Sequence, residues 1–250
     1  MIEFTLEIPI DSLEVAAAAS PMLSPRDRFE LCDDLASEGW TPRMDLVRAV
    51  RGEAPDGVGI VAMIRPRGTD APSSLDVAGF TATPQVVEAS TREIEAAAEA
   101  GADSVAIGLL TASGAVDLDA CGRLVETARG CGLEVAFLRT FDLLVDRDAG
   151  LRAVHDLGCV RVVTAGVLGW DASVADLPTR LEALSADAAR AERLARDERR
   201  ATVEIVPGGG VRASNATSFA AVSPHLHASC RRDGVFSPEE LAGLTSLRGR

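Results

Sequence analysis

Short apolar runs rich in β-branched residues alternate with Ala-rich stretches along the chain. The stretches between the runs carry apolar residues at helical spacing, as in 85–100 and 117–129. Gly residues before several runs are typical of a helix that ends in a left-handed cap and turns into a strand. The apolar runs predict eight strands, near residues 3–10, 28–32, 58–65, 103–109, 133–141, 160–165, 202–207 and 225–229.

Eight strand–helix units in 250 residues match the size of one α/β domain, a single (β/α)8 TIM-type barrel over residues 1–250. The alternative, a doubly wound sheet, usually has fewer strands and a Gly-rich first turn. Here the first turn, residues 9–12, reads PIDS and contains no GxGxxG. The longer segment 171–200 alternates both charge signs, which predicts a solvated outer helix.

The composition excludes several classes of function. The formal net charge is −13, and an acidic surface repels phosphate backbones, so no nucleic-acid partner is expected. All 25 basic residues are Arg, and Lys and Tyr are absent. Schiff-base catalysis and a P-loop lysine are therefore excluded.

The sequence predicts a cytoplasmic protein without a membrane partner. The first four residues, MIEF, show no basic region followed by an apolar stretch, so no secretory signal is expected. The longest charge-free stretch, 213–230, is rich in Ser, Thr, Asn and His, which is unlike a membrane span. Five scattered cysteines without a CxxC pair fit a reducing compartment.

A glycine loop follows the seventh strand, where residues 206–211 read VPGGGV. The amides of Gly208, Gly209 and Gly210 can approach an anion closely, and Asn215 follows at the start of the next helix. The loops after strands 7 and 8 are the recurring phosphate site of this fold. The alternative is a glycine turn that only reverses the chain.

The eighth strand places His225, His227 and Ser229 on one face, because side chains alternate along a strand. With Leu226 outward, that face is the barrel interior. Two such His can bind a metal, act as acid and base, or contact an anion. The alternative is a pair of hydrogen-bonded core residues.

Charged side chains also end other strands. Arg65 shares a face with Met63 and is expected to point inward at the mouth, with Arg67 in the following loop. Glu30 lies on the second strand, and Asp142 ends the fifth as a candidate base or orienter. The alternative is a structural layer of ion pairs closing the barrel.

Seven motifs in series resemble the CutC family, named for copper homeostasis. The matching segments, with the family pattern where it differs, are 28–32 RFELC (RIELC), 39–42 GWTP (GLTPS), 63–67 MIRPR, 137–142 FLRTFD (FHRAFD), 164–166 TAG (TSG), 207–215 PGGGVxxxN and 227–229 HAS (HxS).

The resemblance implies a cytoplasmic (β/α)8-type barrel, a homodimer, and a link to copper tolerance or Cu(I) binding. The family's copper-site cysteines lie near the second strand, where only Cys32 matches. A thiolate with Met63 nearby would suit soft Cu(I), and the alternative is a buried reduced cysteine. Leu138 replaces the family's His, and His225 stands where the family usually has Glu.

Two hypotheses of function follow. One is a copper-homeostasis protein that binds Cu(I) at Cys32. The other is an isomerase, epimerase or lyase acting on a small phosphorylated or carboxylated compound. A third reading is a non-catalytic scaffold. In the second hypothesis the catalytic residues are Glu30, Arg65, Asp142 and His227, and the anion-binding residues are Arg67, Gly208, Gly209, Gly210, Asn215 and Ser229.

Overall fold

Eight parallel strands surround one axis in the computed structural model, which describes residues 3–248. Neighbours along the sheet follow the order β7-β6-β5-β4-β3-β2-β1-β8. The expected (β/α)8 fold class is therefore confirmed. The strands are β1 (Thr5–Ile10), β2 (Arg28–Leu31), β3 (Gly59–Met63), β4 (Ser104–Ile107), β5 (Glu134–Phe137), β6 (Arg161–Thr164), β7 (Glu204–Pro207) and β8 (His225–His227).

β7 and β8 are the end strands of the sheet and lie side by side, so the barrel is nearly closed. On one side of β8, the parallel register aligns Glu7 of β1 with His227. At the seam, the Ser223 hydroxyl donates to the carbonyl of Ile205 on β7 at 2.6 Å. Glu7 and His227 are thereby neighbours inside the barrel.

Helices cover the outside of the strands. Side-chain caps start several of them, such as Thr83, which accepts from the amide of Val86 ahead of Pro84 at the first helical position. The helices are α1 (Leu13–Ala19), α2 (Met44–Glu53), α3 (Pro84–Glu99), α4 (Leu118–Gly130), α5 (Arg147–Leu157), α6 (Leu177–Glu198), α7 (Ala216–Ala220) and α8 (Pro238–Thr245). A short hairpin of β9 (Arg231–Arg232) and β10 (Val235–Phe236) precedes α8.

Each predicted strand exists, but four were predicted two or more residues too long at their carboxyl ends. β3 stops at Met63 rather than at 65, β4 at Ile107 rather than at 109, and β8 at His227 rather than at 229. β5 stops at Phe137 rather than at 141, and a 3₁₀ helix covers Arg139–Leu143. Strand alternation therefore does not set the direction of the side chains beyond those ends.

Alternating side chains divide the core into two layers. Outward residues such as Leu6, Ile8 and Ile10 pack under the helices in a large apolar core. Inward residues form a smaller cluster, consisting of Cys32, Val61, Met63, Ala106, Ala136 and Leu138. Polar side chains lie above and below this inner cluster, at the two mouths of the barrel.

Helix α6 is only partly the solvated helix expected from its charges. Arg180, Leu184 and Asp187 face the barrel and are buried, whereas the opposite side is exposed. Over residues 3–248, no helix is both long and apolar enough to cross a bilayer. Met1 and Ile2, which belong to the start inspected for a leader, lie outside the described residues, as do residues 249 and 250 of the predicted domain.

Candidate functional site

A cavity of about 700 Å³ opens at the carboxyl ends of the strands. Function concentrates at this end in barrels of this type. Eight residues singled out from the sequence line it, namely Glu30, Cys32, Met63, Leu138, Gly209, Gly210, His227 and Ser229. Arg139, Trp170, Arg212 and Arg231 complete much of the wall.

The glycine loop after β7 is held from outside by Arg180 of α6. Arg180 is 7% exposed, and its guanidinium donates to the carbonyls of Gly208 and Gly209 at 2.8 and 2.7 Å. Because C=O and N–H point in opposite directions across a trans peptide, these bonds turn the Gly209 and Gly210 amides away from Arg180. Both glycines have positive φ, 66° and 86°, a conformation that glycine adopts without strain.

The two amides remain available to a ligand. Among residues 3–248, the N–H groups of Gly209 and Gly210 have no hydrogen-bond acceptor. The Arg139 guanidinium carbon would lie 3.3 Å from a Cβ built on Gly209. Adjacent free amides beside a guanidinium form an arrangement suited to an oxyanion.

Two predicted members of the anion site serve the loop instead of lining the cavity. Asn215 accepts from the amide of Arg212 at 2.8 Å and donates to the carbonyl of Gly210 at 3.1 Å. Gly208 donates to Thr164 and would bring a Cβ within 3.0 Å of Val163, so this position has little room for a side chain. Both residues shape the loop.

Glu7, His227 and Glu30 lie side by side at the floor of the cavity. His227 Nδ1 lies 3.0 Å from Glu7 Oε1, and His227 Nε2 lies 3.8 Å from Glu30 Oε2. Arg161 Nη1 lies 3.7 Å from Glu7 Oε2 on the far side. All four side chains are buried or nearly so.

The environment separates the two carboxyl groups. Burial raises the pKa of Glu30 to about 7, with Glu7 adding to this effect and His227 opposing it. Burial also acts on Glu7, but the hydrogen bond and charge of His227, together with Arg161, hold its pKa below the ordinary value. The pKa of His227 is raised, because Glu30 and Glu7 outweigh its burial.

These pKa directions assign a tautomer. An ionised Glu7 can only accept, so His227 Nδ1 donates to it and Nε2 faces Glu30. Two groups whose pKa values are both raised, that of Glu30 to about 7, then face each other across 3.8 Å. Such a pair can give and take a proton near pH 7.

Cys32 lines the same cavity and follows Glu30 by two residues along the chain. Its thiol donates to the carbonyl of Ile10, and burial, with Glu30 and Asp11, raises its pKa well above the ordinary value. Met63 belongs to the same inner cluster, and a Cβ at Gly39 would lie 3.3 Å from Cys32 Cβ and 2.8 Å from Met63 Sδ. The two sulfur side chains are soft donors that suit Cu(I), although the thiol must first lose its proton.

Arg65 lies elsewhere than expected. Its guanidinium does not line the cavity; it donates to the carbonyls of Gly39, Ser73 and Ser74 and stacks on Trp40 and Phe80. The expectation that it points into the mouth fails because β3 ends two residues earlier. Arg65 therefore ties two loops together.

Arg67 also does not line the cavity. It pairs with Asp33 and Asp34 at 3.2 and 3.1 Å, and its guanidinium lies over the Trp40 ring. These ion pairs hold Arg67 at the rim, against the two carboxylates of the loop that follows β2.

Asp142 is fully buried below the rim and does not line the cavity. It accepts from Arg139 Nε at 3.1 Å, from the Ala165 amide at 2.9 Å and from the Thr164 hydroxyl. Arg147 lies 3.4 Å away. The contacts describe an orienting role, in which Asp142 holds Arg139 beside Gly209.

The two replacements noted in the sequence fall at opposite ends of the barrel. Leu138 belongs to the inner apolar cluster and lines the cavity. His225 lies at the amino-end mouth, with Nε2 3.3 Å from Glu204 Oε1 and Nδ1 2.9 Å from the Thr5 hydroxyl. His225 and His227 thus belong to different sites, although they share a strand face.

The fold and this cavity define a (β/α)8-barrel protein whose mouth brings the free amides of Gly209 and Gly210 and a carboxyl–imidazole pair into one cavity. The CutC family model matches residues 4–231. The chain therefore belongs to the CutC family, as its motifs indicate.

Three relatives illustrate the extent of the similarity. A family protein CutC of Histophilus somni is 37% identical over 161 residues, covering 64% of this chain and 60% of the relative. This chain thus spans about three fifths of that relative's length. A Chromobacterium violaceum CutC is 31% identical over 228 residues, covering 90% and 81%. A human copper homeostasis protein cutC homolog is 32% identical over 208 residues, covering 83% and 66%.

Solved structures share the fold. The putative copper homeostasis protein CutC of Streptococcus agalactiae has a TM-score of 0.73 at 22% identity, covering 90% of this chain and 98% of that one. A 3-hexulose-6-phosphate synthase has a TM-score of 0.61 at 20% identity, covering 97% and 98%. At these identities, the likeness concerns the fold alone.

Proposed function

We propose that this CutC-family protein is an enzyme that binds a small phosphorylated or carboxylated compound and moves a proton on it. The reaction class is that of an isomerase, epimerase or lyase without a Schiff base. One observation carries the proposal. Gly209, which lies against Arg139, and the adjacent Gly210 have free amides in the same cavity as the facing groups of Glu30 and His227.

The anion end supplies binding and orientation. Two amides and a guanidinium offer fixed donors, and Arg212 adds positive charge to the wall, where Arg231 is paired with Asp11 at 2.6 Å. Fixed donors cost little reorganisation when a charged group binds, so they orient the rest of the molecule. A compound held there by its phosphate or carboxylate extends toward the floor of a 700 Å³ cavity.

The floor supplies the chemistry. One group of the Glu30–His227 pair removes a proton from the carbon beside a carbonyl, leaving an enol or enolate. A proton returned to another carbon or face completes an isomerisation or epimerisation, with no oxidant required. In this scheme Glu7 orients His227, and its ion pair with Arg161 keeps it charged.

Binding is tested by calorimetric titration of inorganic phosphate and sugar phosphates into wild type and Arg139→Gln. We expect saturable binding in wild type and at least a tenfold weaker affinity in the variant. Arg123→Gln removes the same charge from the exposed face of α4 and is the matched control. Equal affinities in all three proteins would contradict the anion site.

Catalysis is tested by incubating candidate sugar phosphates and oxo acids in deuterated water and following C–H exchange by NMR. Wild type is expected to exchange the proton beside the carbonyl of its substrate. Glu30→Gln is expected to lose the exchange while still binding phosphate. Exchange that persists in Glu30→Gln would remove Glu30 from the reaction.

Cu(I) binding is a second candidate function, favoured by the adjacency of Cys32 and Met63 on the cavity wall. Cu(I) prefers thiolate and thioether ligands. Binding would displace the thiol proton, so affinity is expected to rise with pH. The ion is then a cargo held near the mouth.

Anaerobic Cu(I) titration with a competing chelator tests this second function. Cys32→Ser should weaken binding at least tenfold, whereas Cys131→Ser, which changes an exposed cysteine, should not. Equally weak binding by wild type and both variants would rule out a specific copper role for Cys32. A cytoplasmic location and a homodimer stay predictions that accompany both proposals.

A further inference from the structure

The side chains at the floor of the cavity also suit a metal ion, which the proposed proton transfer does not require. Glu7, Glu30 and His227 each offer one ligand atom, and these atoms all lie within 4.8 Å of one another. We propose that the floor binds one divalent metal ion of the hard or borderline class, such as Mn²⁺ or Zn²⁺. His227 Nε2 and Glu30 are the direct ligands, and Glu7 orients the imidazole.

The distances suit a shared ion. Two ligand atoms that each lie about 2.1 Å from one ion can be at most about 4.2 Å apart. His227 Nε2 and Glu30 Oε2 are 3.8 Å apart, too far for a hydrogen bond but within that limit. Carboxylate with imidazole is a donor set for Mn²⁺, Fe²⁺ or Zn²⁺, distinct from the sulfur pair that suits Cu(I).

The imidazole is already oriented for coordination. A metal-binding His usually donates its other ring N–H to a carboxylate, which fixes the tautomer. Here Nδ1 donates to Glu7 Oε1 at 3.0 Å, and Nε2 is directed toward Glu30. Arg161, 3.7 Å from the other oxygen of Glu7, keeps that carboxylate in place from below.

The Glu30 carboxyl group is buried and has no hydrogen-bond partner in the described part of the chain, which is independent evidence for a ligand at this position. Among residues 3–248, no donor makes a hydrogen bond to the carboxyl group of Glu30, which is 6% exposed and lines the cavity. Glu7, 2% exposed, already has His227 and Arg161 as partners, so the carboxyl group without a partner among these residues is that of Glu30. Buried carboxylates of this kind are costly unless a proton or a cation neutralises them.

The cavity leaves the remaining coordination positions open. With ligands only on the floor, an ion there would face about 700 Å³ of open volume and could take water or a substrate oxygen. Proton and ion are alternative ways to neutralise the same floor. When an ion is bound, it would polarise a substrate oxygen. Without the ion, the Glu30–His227 pair would exchange a proton with the substrate.

The test is Mn²⁺ titration of the full chain, followed by the loss of the free-ion electron paramagnetic resonance signal. Wild type is expected to bind one Mn²⁺ per chain. Glu30→Gln and His227→Asn should each weaken binding at least tenfold. Glu38→Gln removes a carboxylate from the exposed rim of the same cavity and should change the affinity less than threefold.

A spectroscopic signature supplements affinity. Electron spin echo modulation of bound Mn²⁺ should show coupling to one imidazole nitrogen, which disappears in His227→Asn. The inference is overturned if wild type leaves Mn²⁺ free at millimolar concentration, if Glu30→Gln binds like wild type, or if nitrogen coupling is absent. Phosphate titration of the same samples reports separately on the anion site, so the two proposals can fail independently.

Discussion

The two mouths of the barrel are both lined by charged side chains, yet their charges are arranged differently. The amino-end mouth encloses a cavity of about 550 Å³, where acids face bases in ion pairs. Arg248 pairs with Asp27, Arg51 with Asp103 and Arg161 with Glu204. At the carboxyl end, by contrast, Glu30 accepts no hydrogen bond from residues 3–248, and the Gly209 and Gly210 amides are free.

This difference distinguishes charged groups that stabilise the fold from polar groups that are available to a ligand. Charges that satisfy one another hold elements together, whereas a group left unsatisfied costs stability and is available to a ligand. Substitution of a paired charge at the amino end and of the unpaired Glu30 at the carboxyl end should therefore change stability in opposite directions.

The largest effect is expected at the amino end. Asp27, 1% exposed, accepts from the Leu6 and Ser24 amides and from both terminal nitrogens of Arg248, each at 2.7 Å. Asp27→Asn should lower the free energy of unfolding by about 3 kcal/mol, because it leaves the half-buried Arg248 guanidinium unpaired and removes the charge that accepts from two backbone amides. Urea denaturation measures this change. Asp56→Asn, in an exposed loop, is the control and should stay within about 0.5 kcal/mol.

The second effect has the opposite sign. Because burial raises the pKa of Glu30 to about 7, the folded chain retains a proton that an unfolded carboxyl, with its ordinary value of 4.5, releases. The stability from this proton is complete below pH 4.5 and is lost as the pH rises through 7. Glu30→Gln should therefore raise Tm at pH 8, by an amount on the order of 5 °C, and change it little at pH 4.5.

Differential scanning fluorimetry of wild type and Glu30→Gln at both pH values measures this shift. Glu38→Gln, on the exposed rim, provides the comparison for a simple loss of charge. A lower Tm for Glu30→Gln at pH 8 would mean that Glu30 makes a stabilising contact.

A third, intermediate effect concerns affinity. Arg212 lines the carboxyl-end cavity and donates to the Val211 carbonyl at 2.9 Å, next to the glycine loop. Arg212→Gln should weaken phosphate binding about tenfold, equivalent to about 1.4 kcal/mol. Titration calorimetry measures it, with Arg123→Gln as the control for net charge. An unchanged affinity would place the anion elsewhere.

The smallest effect is expected at His225, which shares a strand face with His227 but lies at the other mouth. His225→Gln should change phosphate affinity less than threefold, since the side chain contacts Thr5 and Glu204 rather than the cavity. The same titration measures it. A large loss would show that the two mouths are coupled through Arg161 and Glu7.

The sequence predicted the barrel because each strand carries its own apolar pattern and each helix its own spacing. It also predicted Glu30, Gly209, Gly210 and His227 as cavity residues, since strand alternation and glycine content are local properties. It did not predict the direction of Arg65, because alternation ends with β3 at Met63.

Other parts of the site depend on packing between distant segments. Arg180 lies in a helix that reads as solvated, and its part in orienting the glycine loop arises only when α6 packs against β7. The role of Glu7 likewise depends on the register between β1 and β8, which joins residues 220 positions apart. No local signal in the sequence carries either contact.

In the proposed function, the glycine loop holds an anion above the Glu30–His227 floor. A phosphate titration of ¹⁵N-labelled protein, followed through the amide signals of Gly209 and Gly210, observes that contact itself. We predict that both signals move saturably with one dissociation constant, while amides at the amino-end mouth, such as that of Gly59, stay fixed. Signals of Gly209 and Gly210 that do not move while phosphate binds elsewhere would contradict the account.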